Sequence, residues 1–245
     1  MRSGYEIGKL ITIEGIDGVG KNTQAIMLRD HLAKEYGDCG LFSFPRYGTP
    51  TGKLVRAYLN GELGELNILQ RLKLYADDRL AAREEILDYL FRGYDVICDR
   101  YVDSNLAFFK TFAQMESDAQ RNYDTCVSSY ITRLEYEINQ MPKANATFVL
   151  KMNVEDSQKL MENRYNGDES KKDGHERNIE LLTKTSDYYR SYKYGYSTNK
   201  DTCKDTCYYP IECGDLDGGI RSIDSIHQEI LKITKQFINI TSWLG

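Results

Sequence analysis

The stretch Leu-Ile-Thr-Ile-Glu-Gly-Ile-Asp-Gly-Val-Gly-Lys-Asn, residues 10–22, decides how this chain folds. Its first four residues are β-branched or apolar and predict a short buried strand. A glycine-rich turn follows over 15–21, and a helical pattern begins at Thr23. A strand, such a turn and a helix N-terminus form a phosphate cradle, because backbone N–H groups, the helix dipole and the Lys21 ammonium all favour an anion there. The sequence therefore predicts a nucleotide-binding site.

The match to the phosphate-binding pattern G-x-x-x-x-G-K-[ST] is complete except at its last position. Asn22 stands where a Ser or Thr hydroxyl normally helps to hold Mg²⁺. The alternative interpretation is a glycine-rich turn between a strand and a helix that binds nothing. The two glycines, the lysine and the flanking elements together favour the phosphate cradle.

The composition indicates a globular protein, with 41% hydrophobic and 28% charged residues. A length of 245 residues suits one large α/β domain or two small ones. The net charge of −5 argues against a long nucleic acid partner, because proteins that grip its backbone carry a basic excess. Neither a signal peptide pattern nor an apolar run of roughly 20 residues is present, so we expect a cytoplasmic protein with no membrane partner.

The cysteines are six in number, and we expect free thiols in a reducing compartment. Cys203, Cys207 and Cys213 lie closer together than the others. A zinc site there is an alternative, but it needs a fourth ligand and a better spacing.

Apolar runs alternate with helical stretches, which predicts a parallel sheet covered by helices on both faces. We expect a long helix over 66–91, a second from Ser117 to Pro142 and a last one over 223–237. This order is typical of the three-layer α/β fold of P-loop NTPases, with a five-stranded parallel sheet. The predicted strands are 10–13, 41–44, 95–98, 147–152 and 208–213.

Two polar stretches interrupt the alternation. Residues 166–175 are charged and contain glycine, and they predict a mobile loop between two helices. Residues 195–207 predict a surface insertion before the last strand. No repeat or linker divides the chain, so we expect a single domain over 1–245 with a mobile lid over about 164–177.

Candidate binding residues follow the predicted strands, where the carboxyl ends of a parallel sheet form the ligand crevice. Asp99 can hold Mg²⁺ or its waters there, and Arg100 can fork onto a phosphate. Arg46, after the second strand, can meet a substrate phosphate. The alternatives are that Asp99 caps the next helix and pairs with Arg100, and that the loop around Arg46 only packs the sheet edge.

Two further groups of residues suit a nucleotide. Tyr75 and Arg79 lie four apart and share a helix face, where a ring and a guanidinium can take a base and its phosphate. Arg164, Lys171 and Lys172 suit a lid that closes over transferring phosphates and excludes water. The alternative for Tyr75 and Arg79 is an ordinary pair of side chains on a solvated helix. The alternative for the lid residues is a solvated run of charges.

Together these segments resemble the thymidylate kinase family, whose members phosphorylate dTMP to dTDP with ATP. The segment D-R-Y-x-x-S, combined with an acidic P-loop, separates this family from adenylate and guanylate kinases. The resemblance covers about 10–194 and resumes in the last strand and helix. Its motifs are I-E-G-I-D-G-V-G-K (13–21), F-P-R (44–46), Y-A-D-D-R (75–79), D-R-Y-V-D-S-N (99–105) and D-G-H-E-R (173–177).

For the donor, the resemblance implies that Lys21 and the P-loop amides hold the β- and γ-phosphates of ATP, and that Asp99 serves Mg²⁺. Gly18 has no side chain where some members carry an arginine, so the lid residues Arg164, Lys171 and Lys172 are expected to supply that charge. The implied ATP-binding residues are Gly15, Gly18, Val19, Gly20, Lys21, Asn22, Thr23 and Arg164.

For the acceptor, the resemblance implies that Asp17 lies near the 3′-hydroxyl of dTMP and that Tyr75 stacks on thymine. Arg79 would contact base and phosphate, while Arg46 and Arg100 would bind the phosphate. The implied substrate-binding residues are Asp17, Phe44, Arg46, Tyr75, Arg79, Arg100, Ser104, Asn105, Phe108 and His175.

Besides Gly18, three positions depart from the family pattern. Asn22 puts the direct Mg²⁺ ligand of the loop in question, and an amide oxygen or Asp99 can take its place. Phe108 stands where many members carry a tyrosine that helps to exclude a ribose 2′-hydroxyl. His175 replaces a common aromatic or polar lid residue.

The implied mechanism is in-line phosphoryl transfer without a covalent intermediate, in which Mg²⁺ and basic residues meet the charge of the moving group. The residues expected to take part are Lys21, Asp17, Arg100, Arg164, Lys171 and Lys172. Since family members are commonly homodimers, we expect a homodimer here.

Two alternative functions stay open from the sequence. One is a nucleoside monophosphate kinase with another base preference, such as dUMP or dGMP. The other is a nucleotide-binding switch without fast chemistry. A guanine-reading Asn/Thr-Lys-x-Asp element is not found, because the similar stretch 198–201 lacks the final spacing.

Overall fold

A computed structural model describes residues 7–116, 120–196, 205–215 and 218–241. Its centre is a sheet with the strand order β2-β3-β1-β4-β6-β5. The five predicted parallel strands are confirmed, and a two-residue strand, β5, is added antiparallel at the edge. The strands are β1 Leu10–Glu14, β2 Cys39–Ser43, β3 Asp95–Asp99, β4 Ala146–Lys151, β5 Gly195–Tyr196 and β6 Cys207–Glu212.

Helices cover the sheet on both sides because successive strand residues point to opposite faces. Ile11, Ile13 and Ile97 belong to one buried cluster, whereas Leu10 and Val96 belong to another. The helices are α1 Lys21–Tyr36, α2 Pro50–Leu59, α3 Ile68–Leu80, α4 Arg83–Phe91, α5 Val102–Glu116, α6 Gln120–Thr132, α7 Val154–Tyr165, α8 Ile179–Arg190 and α9 Ile223–Thr241. Among the described helices, none combines the length and the apolar character that a bilayer crossing needs.

The predicted single helix over 66–91 is wrong, because the chain turns between α3 and α4. The N–H of Ala82 donates to the carbonyl of Arg79 at 2.9 Å, which closes a tight turn. The turn lets α3 pack against α2 and α5, while α4 packs against β2 and β3. Neither glycine nor proline marks this break, so no sequence signal predicts it.

The other helices differ from their predictions mainly at their ends. Helix α1 begins at Lys21 rather than Thr23, and the last helix extends to Thr241. Helix α6 continues into a π-helical segment, Arg133–Ile138, before the chain reaches Pro142. The predicted cap at Ser117 and most of the predicted insertion, over 197–204, lie outside the described residues.

The zinc alternative finds no support in the described part of the chain. Cys207 and Cys213 are buried in and just after β6, and Cys203 lies outside the described residues. Among the residues that the structure describes, no three His, Cys, Asp or Glu side chains form a group that could hold a metal ion.

Candidate active site

The glycine-rich turn between β1 and α1 is shaped by close backbone contacts. Gly15 and Gly18 have φ angles of 144° and 84°. A Cβ on Gly18 would lie 2.5 Å from the carbonyl oxygen of Ser157 in α7, and one on Gly15 would lie 2.6 Å from that of Leu150 in β4. These positions therefore require glycine, and the turn is fixed against two neighbouring elements.

Lys21 is buried at the first position of α1. Its Nζ donates to the carbonyl of Ile16 at 2.6 Å and lies 3.9 Å from Asp17 Oδ1. Burial lowers the pKa of Lys21 to about 8, and the Arg100 charge adds to this effect. An anion entering the turn would stabilise the ammonium and raise this pKa again, which is the behaviour expected of a phosphate-binding lysine.

Arg100 reaches the same place from the end of β3. Its backbone adopts a left-handed φ of 65°, and its N–H donates to Ile13 at 3.0 Å. The guanidinium forms an ion pair with Asp17, so the alternative pairing with Asp99 is wrong. Burial works to raise the pKa of Asp17, but the Arg100 and Lys21 charges outweigh it and hold that pKa at about 2.

Beneath this group lies a buried carboxylate that the sequence analysis did not single out. Glu14 accepts hydrogen bonds from the N–H of Tyr101 at 2.7 Å, from Ser104 Oγ at 2.6 Å and from Tyr189 Oη at 3.0 Å. It thereby ties β1 to the start of α5 and to α8. These contacts hold Arg100, one residue before Tyr101, in its unusual conformation.

An outer cavity of about 480 Å³ opens in front of the glycine-rich turn. This volume lies within the range of about 300–1,000 Å³ found for small-molecule sites. Five of the predicted ATP-binding residues line it, together with Lys171 of the lid and Asp99. The lining residues predicted from the sequence are Asp17, Gly18, Gly20, Lys21, Asn22, Phe44, Asp99, Arg100, Arg164 and Lys171.

An inner cavity of about 50 Å³ adjoins the outer one and has a mainly apolar lining. The two cavities share Asp17, Phe44 and Arg100 among their lining residues. Six further predicted acceptor-side residues line this second cavity together with those three. The predicted residues that line it are Asp17, Phe44, Tyr75, Arg79, Arg100, Ser104, Asn105, Phe108 and His175.

Arg79 is held in the wall of the inner cavity by a residue that sequence reasoning missed. It is only 1% exposed, so the interpretation as an ordinary pair on a solvated helix is wrong. Its guanidinium forms an ion pair with the fully buried Glu135, which also accepts from Asn105 Nδ2 at 3.2 Å. Glu135 lies 56 positions along the chain in a stretch that carries no motif.

Tyr47 was also missed, although it belongs to the stretch that follows the second strand. It lines both cavities next to Pro45. Burial raises the pKa of its phenol, and the negative charges of Asp173 and Asp17 add to the effect. The hydroxyl therefore stays protonated and is available as a hydrogen-bond donor at the junction of the cavities.

Several predicted site residues are not brought to either cavity. Arg46 turns to Asp78, with its N–H 2.7 Å from Oδ2 and its Nη2 3.0 Å from the carbonyl oxygen. Lys172 is buried and donates to Gln158 and Glu169 at 3.0 and 2.8 Å. The remaining members of this group belong to the glycine-rich turn and to α1: Gly15, Val19 and Thr23.

The lid residues near the cavities form a compact turn. Asp173 Oδ1 accepts from the N–H groups of His175 and Glu176 at 2.8 and 2.9 Å, and the N–H of Asp173 donates to Glu176 at 3.0 Å. Tyr165 Oη donates to Glu176 at 3.0 Å and anchors the turn on α7. Burial raises the pKa of Asp173 to about 6, and the Asp17 charge adds to it.

Comparison with known proteins identifies the family of this chain. The sequence model of the family described as thymidylate kinase matches residues 13–200. A thymidylate kinase of Mycobacterium tuberculosis is 32% identical over 185 residues, which cover 74% of this chain and 83% of that protein. The chain belongs to the thymidylate kinase family. It is a nucleoside monophosphate kinase, and the family reaction is the phosphorylation of dTMP to dTDP with ATP.

Solved structures of thymidylate kinases share the fold. One from Candida albicans has a TM-score of 0.64 at 24% identity and covers 94% of this chain and of its own. One from Ehrlichia chaffeensis has a TM-score of 0.59 at 24% identity and covers 93% of this chain and 98% of its own. The predicted three-layer P-loop fold of the thymidylate kinase family is therefore confirmed.

Proposed function

We propose that the outer cavity holds the phosphates of ATP and dTMP for in-line transfer, and that the inner cavity holds the thymine. The observation that carries this proposal is the pair of cations around one carboxylate. Lys21 from the donor side and Arg100 from the acceptor side both approach Asp17. Phosphates bound to these two cations would lie next to each other, which is the arrangement that transfer requires.

On the donor side, Lys21 and the N–H groups of the glycine-rich turn bind the β- and γ-phosphates of ATP. Arg164, in the last turn of α7, and Lys171 supply positive charge from the lid. The lid is proposed to extend over about 164–177. Lys172 supports it from below through Gln158 and does not meet the phosphates.

On the acceptor side, Arg100 exchanges Asp17 for the phosphate of dTMP, and the released carboxylate lies near the sugar hydroxyl. Tyr75 supplies a face for the base. Arg79 and Asn105, already oriented by Glu135, present donors to its polar edge. Arg46 supports the loop through Asp78, and contact with the phosphate would require that pair to open.

The residues at the end of β3 fit a Mg²⁺ ion. Asp99 Oδ1 is buried and has no hydrogen-bond partner among the described residues, while the residue lines the outer cavity. Asn22 Nδ2 donates to Ser43 Oγ at 3.1 Å, which leaves its amide oxygen for the ion or its water. Oxygen ligands of this kind are those that Mg²⁺ prefers, and the ion would neutralise phosphate charge.

A coupled assay for ADP release tests the function, with dTMP, dUMP, dGMP and other monophosphates as acceptors. We expect the highest kcat/KM for dTMP. A preference for another monophosphate would establish the alternative of a changed base range. ATP binding without ADP release for every acceptor would favour a nucleotide-binding switch and contradict the kinase.

The assembly, location and domain organisation of the protein are further proposals. The first rests on the family resemblance, and the other two rest on the sequence patterns. The proposals are a homodimer, a cytoplasmic location and a single domain over 1–245. Sedimentation velocity at micromolar concentration tests the dimer, and immunolocalisation of the native protein tests the location. Limited proteolysis tests the domain, since one domain should yield no stable half-length fragment.

A further inference from the structure

The side chain of His175 reaches from the lid into the inner cavity. Its imidazole lies nearly parallel to the Phe108 ring, with centroids 5.4 Å apart and 16° between planes, and to the Tyr75 ring at 6.2 Å and 19°. The ring centroids of Tyr58 and Phe112 lie 6.0 and 5.4 Å from the centroid of the imidazole. A flat aromatic ring thus already covers the surface that the proposed function assigns to thymine.

The volume of the inner cavity leads to the same conclusion. About 50 Å³ remains with the imidazole present, whereas small-molecule sites measure about 300–1,000 Å³. Arg79 and Phe108 are 1% and 6% exposed and belong to packed helices, so they cannot withdraw without disturbing the core. His175 is carried by a lid turn and is the group that can leave.

The polar atoms of the cavity show that this packing is incomplete. His175 Nε2 and Tyr75 Oη are buried and have no hydrogen-bond partner among the described residues. Buried polar atoms without partners are unfavourable, which makes the closed arrangement easier to displace. The edge of a nucleobase carries both donors and acceptors and can satisfy the Tyr75 hydroxyl.

The turn that presents the imidazole is itself well formed. Besides its hydrogen bonds to Asp173 and Glu176, it lies close to α2, since a Cβ on Gly174 would be 3.0 Å from the carbonyl oxygen of Leu59. The histidine is therefore held over the cavity by the lid as a unit. Its withdrawal requires a rotation of the side chain or a movement of the lid away from α2.

We infer that His175 occupies the acceptor-base site of the free enzyme and competes with the nucleobase for it. This inference rests on the proposed function of the inner cavity. The apparent affinity for the acceptor is then the intrinsic affinity reduced by the fraction of molecules in which the imidazole is withdrawn. His175 consequently limits acceptor binding, where a residue that stacks on the bound base would strengthen it.

Calorimetric titration of the full chain with thymidine tests the inference, because thymidine probes the base site without a phosphate. His175→Ala and His175→Asn should both bind thymidine about fivefold more tightly, because each removes the imidazole that stacks on Tyr75 and Phe108 in competition with the base. His175→Phe keeps a ring and should bind no more tightly than the wild type. The control His31→Ala removes a partly exposed imidazole on α1 that lines neither cavity, and it should leave binding unchanged.

Equal or weaker thymidine binding by both His175→Ala and His175→Asn would overturn the inference. dTMP titrated in parallel at constant pH supplies the same comparison with the complete acceptor. Turnover of dTMP by the wild type is measured alongside. Its absence would defeat the proposed function, whereas normal turnover together with weaker binding by the variants would defeat the role of His175 alone.

Discussion

The donor end and the acceptor end of the cleft are built in different ways. Around the glycine-rich turn, backbone contacts to Ser157 and Leu150 fix the geometry, and a cavity of about 480 Å³ is already open. At the acceptor end, side chains are paired with one another, and about 50 Å³ remains open. On the proposed assignment, the donor site is preformed by the main chain, whereas acceptor binding has to rearrange ion pairs and the lid.

The largest expected effect is at the donor end. Lys21→Met should lower kcat by about 10²–10³-fold, because a preorganised charge on the transferring phosphates is lost. Thymidine binding should stay within twofold of the wild type, since the base site is separate. Steady-state kinetics and calorimetry check the two parts. A parallel loss of thymidine binding would show that the two ends are not independent.

The next largest effect is at the acceptor end. Arg79→Ala should reduce kcat/KM for dTMP by at least about 2 kcal/mol of transition-state stabilisation, because a charge-assisted contact is removed. It also leaves Glu135 buried without its partner, so urea unfolding must be measured with the kinetics. The matched variant Glu135→Gln keeps Arg79 and should lose less kcat/KM. An unchanged kcat/KM in Arg79→Ala would remove Arg79 from the site.

Two neighbouring lysines sharpen the comparison within the lid. Lys171 is exposed and lines the outer cavity, whereas Lys172 is 5% exposed and bonded to Gln158. Lys171→Ala should lower kcat about tenfold with little change in dTMP affinity, as expected for a charge met mainly in the transition state. Lys172→Ala should instead lower the thermal midpoint. The reverse pattern would contradict the orientation of both side chains.

The smallest effect concerns pH. Burial raises the pKa of Asp173 to about 6 and lowers that of His175 to about 4. The raised pKa of Asp173 means that its protonated form favours the closed lid. This contribution is fully present below pH 3.8 and is lost as pH rises through about 6. The lowered pKa of His175 means that its neutral form favours closure. This contribution is fully present above pH 6.5 and is lost as pH falls through about 4. The two trends oppose each other, so the wild type should bind thymidine almost equally well at pH values of about 5 and about 7. These two values lie on either side of the usual histidine pKa. The charged groups facing the imidazole are Asp17, Arg100 and Arg71.

Asp173→Asn separates the two contributions, because the amide oxygen can still accept from the lid turn. Only the His175 titration then remains, and protonation opens the lid. The variant should bind thymidine more tightly as pH falls from about 7 to about 5, by roughly threefold. Calorimetry in buffers of matched ionisation enthalpy measures the change. A flat profile in the variant would contradict closure by a neutral imidazole.

The difference between the two ends also explains what the sequence could reveal. Gly18 is required by the local backbone, and Lys21 and Arg100 follow the ends of β1 and β3, so it was predictable that these residues meet at one cavity. Glu135 acts on a partner 56 positions away and carries no local pattern. Asp78 lies within the Y-A-D-D-R motif, but its partner Arg46 is 32 positions away and could not be read from that motif. The exclusion of Lys172 from the cleft likewise depends on tertiary packing.

The same limit applies to the fold. Strand positions were predictable because buried parallel strands are continuous apolar runs. The break between α3 and α4 was not, since Ala81 and Ala82 are good helix formers and the turn is imposed by packing against different neighbours. The two-residue strand β5 is too short to leave a pattern of its own.

The left-handed backbone of Arg100 has a consequence for how this enzyme can change. Such a conformation costs a non-glycine residue roughly 1–2 kcal/mol, out of a total stability of about 5–15 kcal/mol for a typical domain. That cost is present in every folded molecule, with or without nucleotide. Selection for a new acceptor base therefore starts from a reduced stability margin, and substitutions in the inner cavity should be tolerated best in a background that has first been stabilised elsewhere.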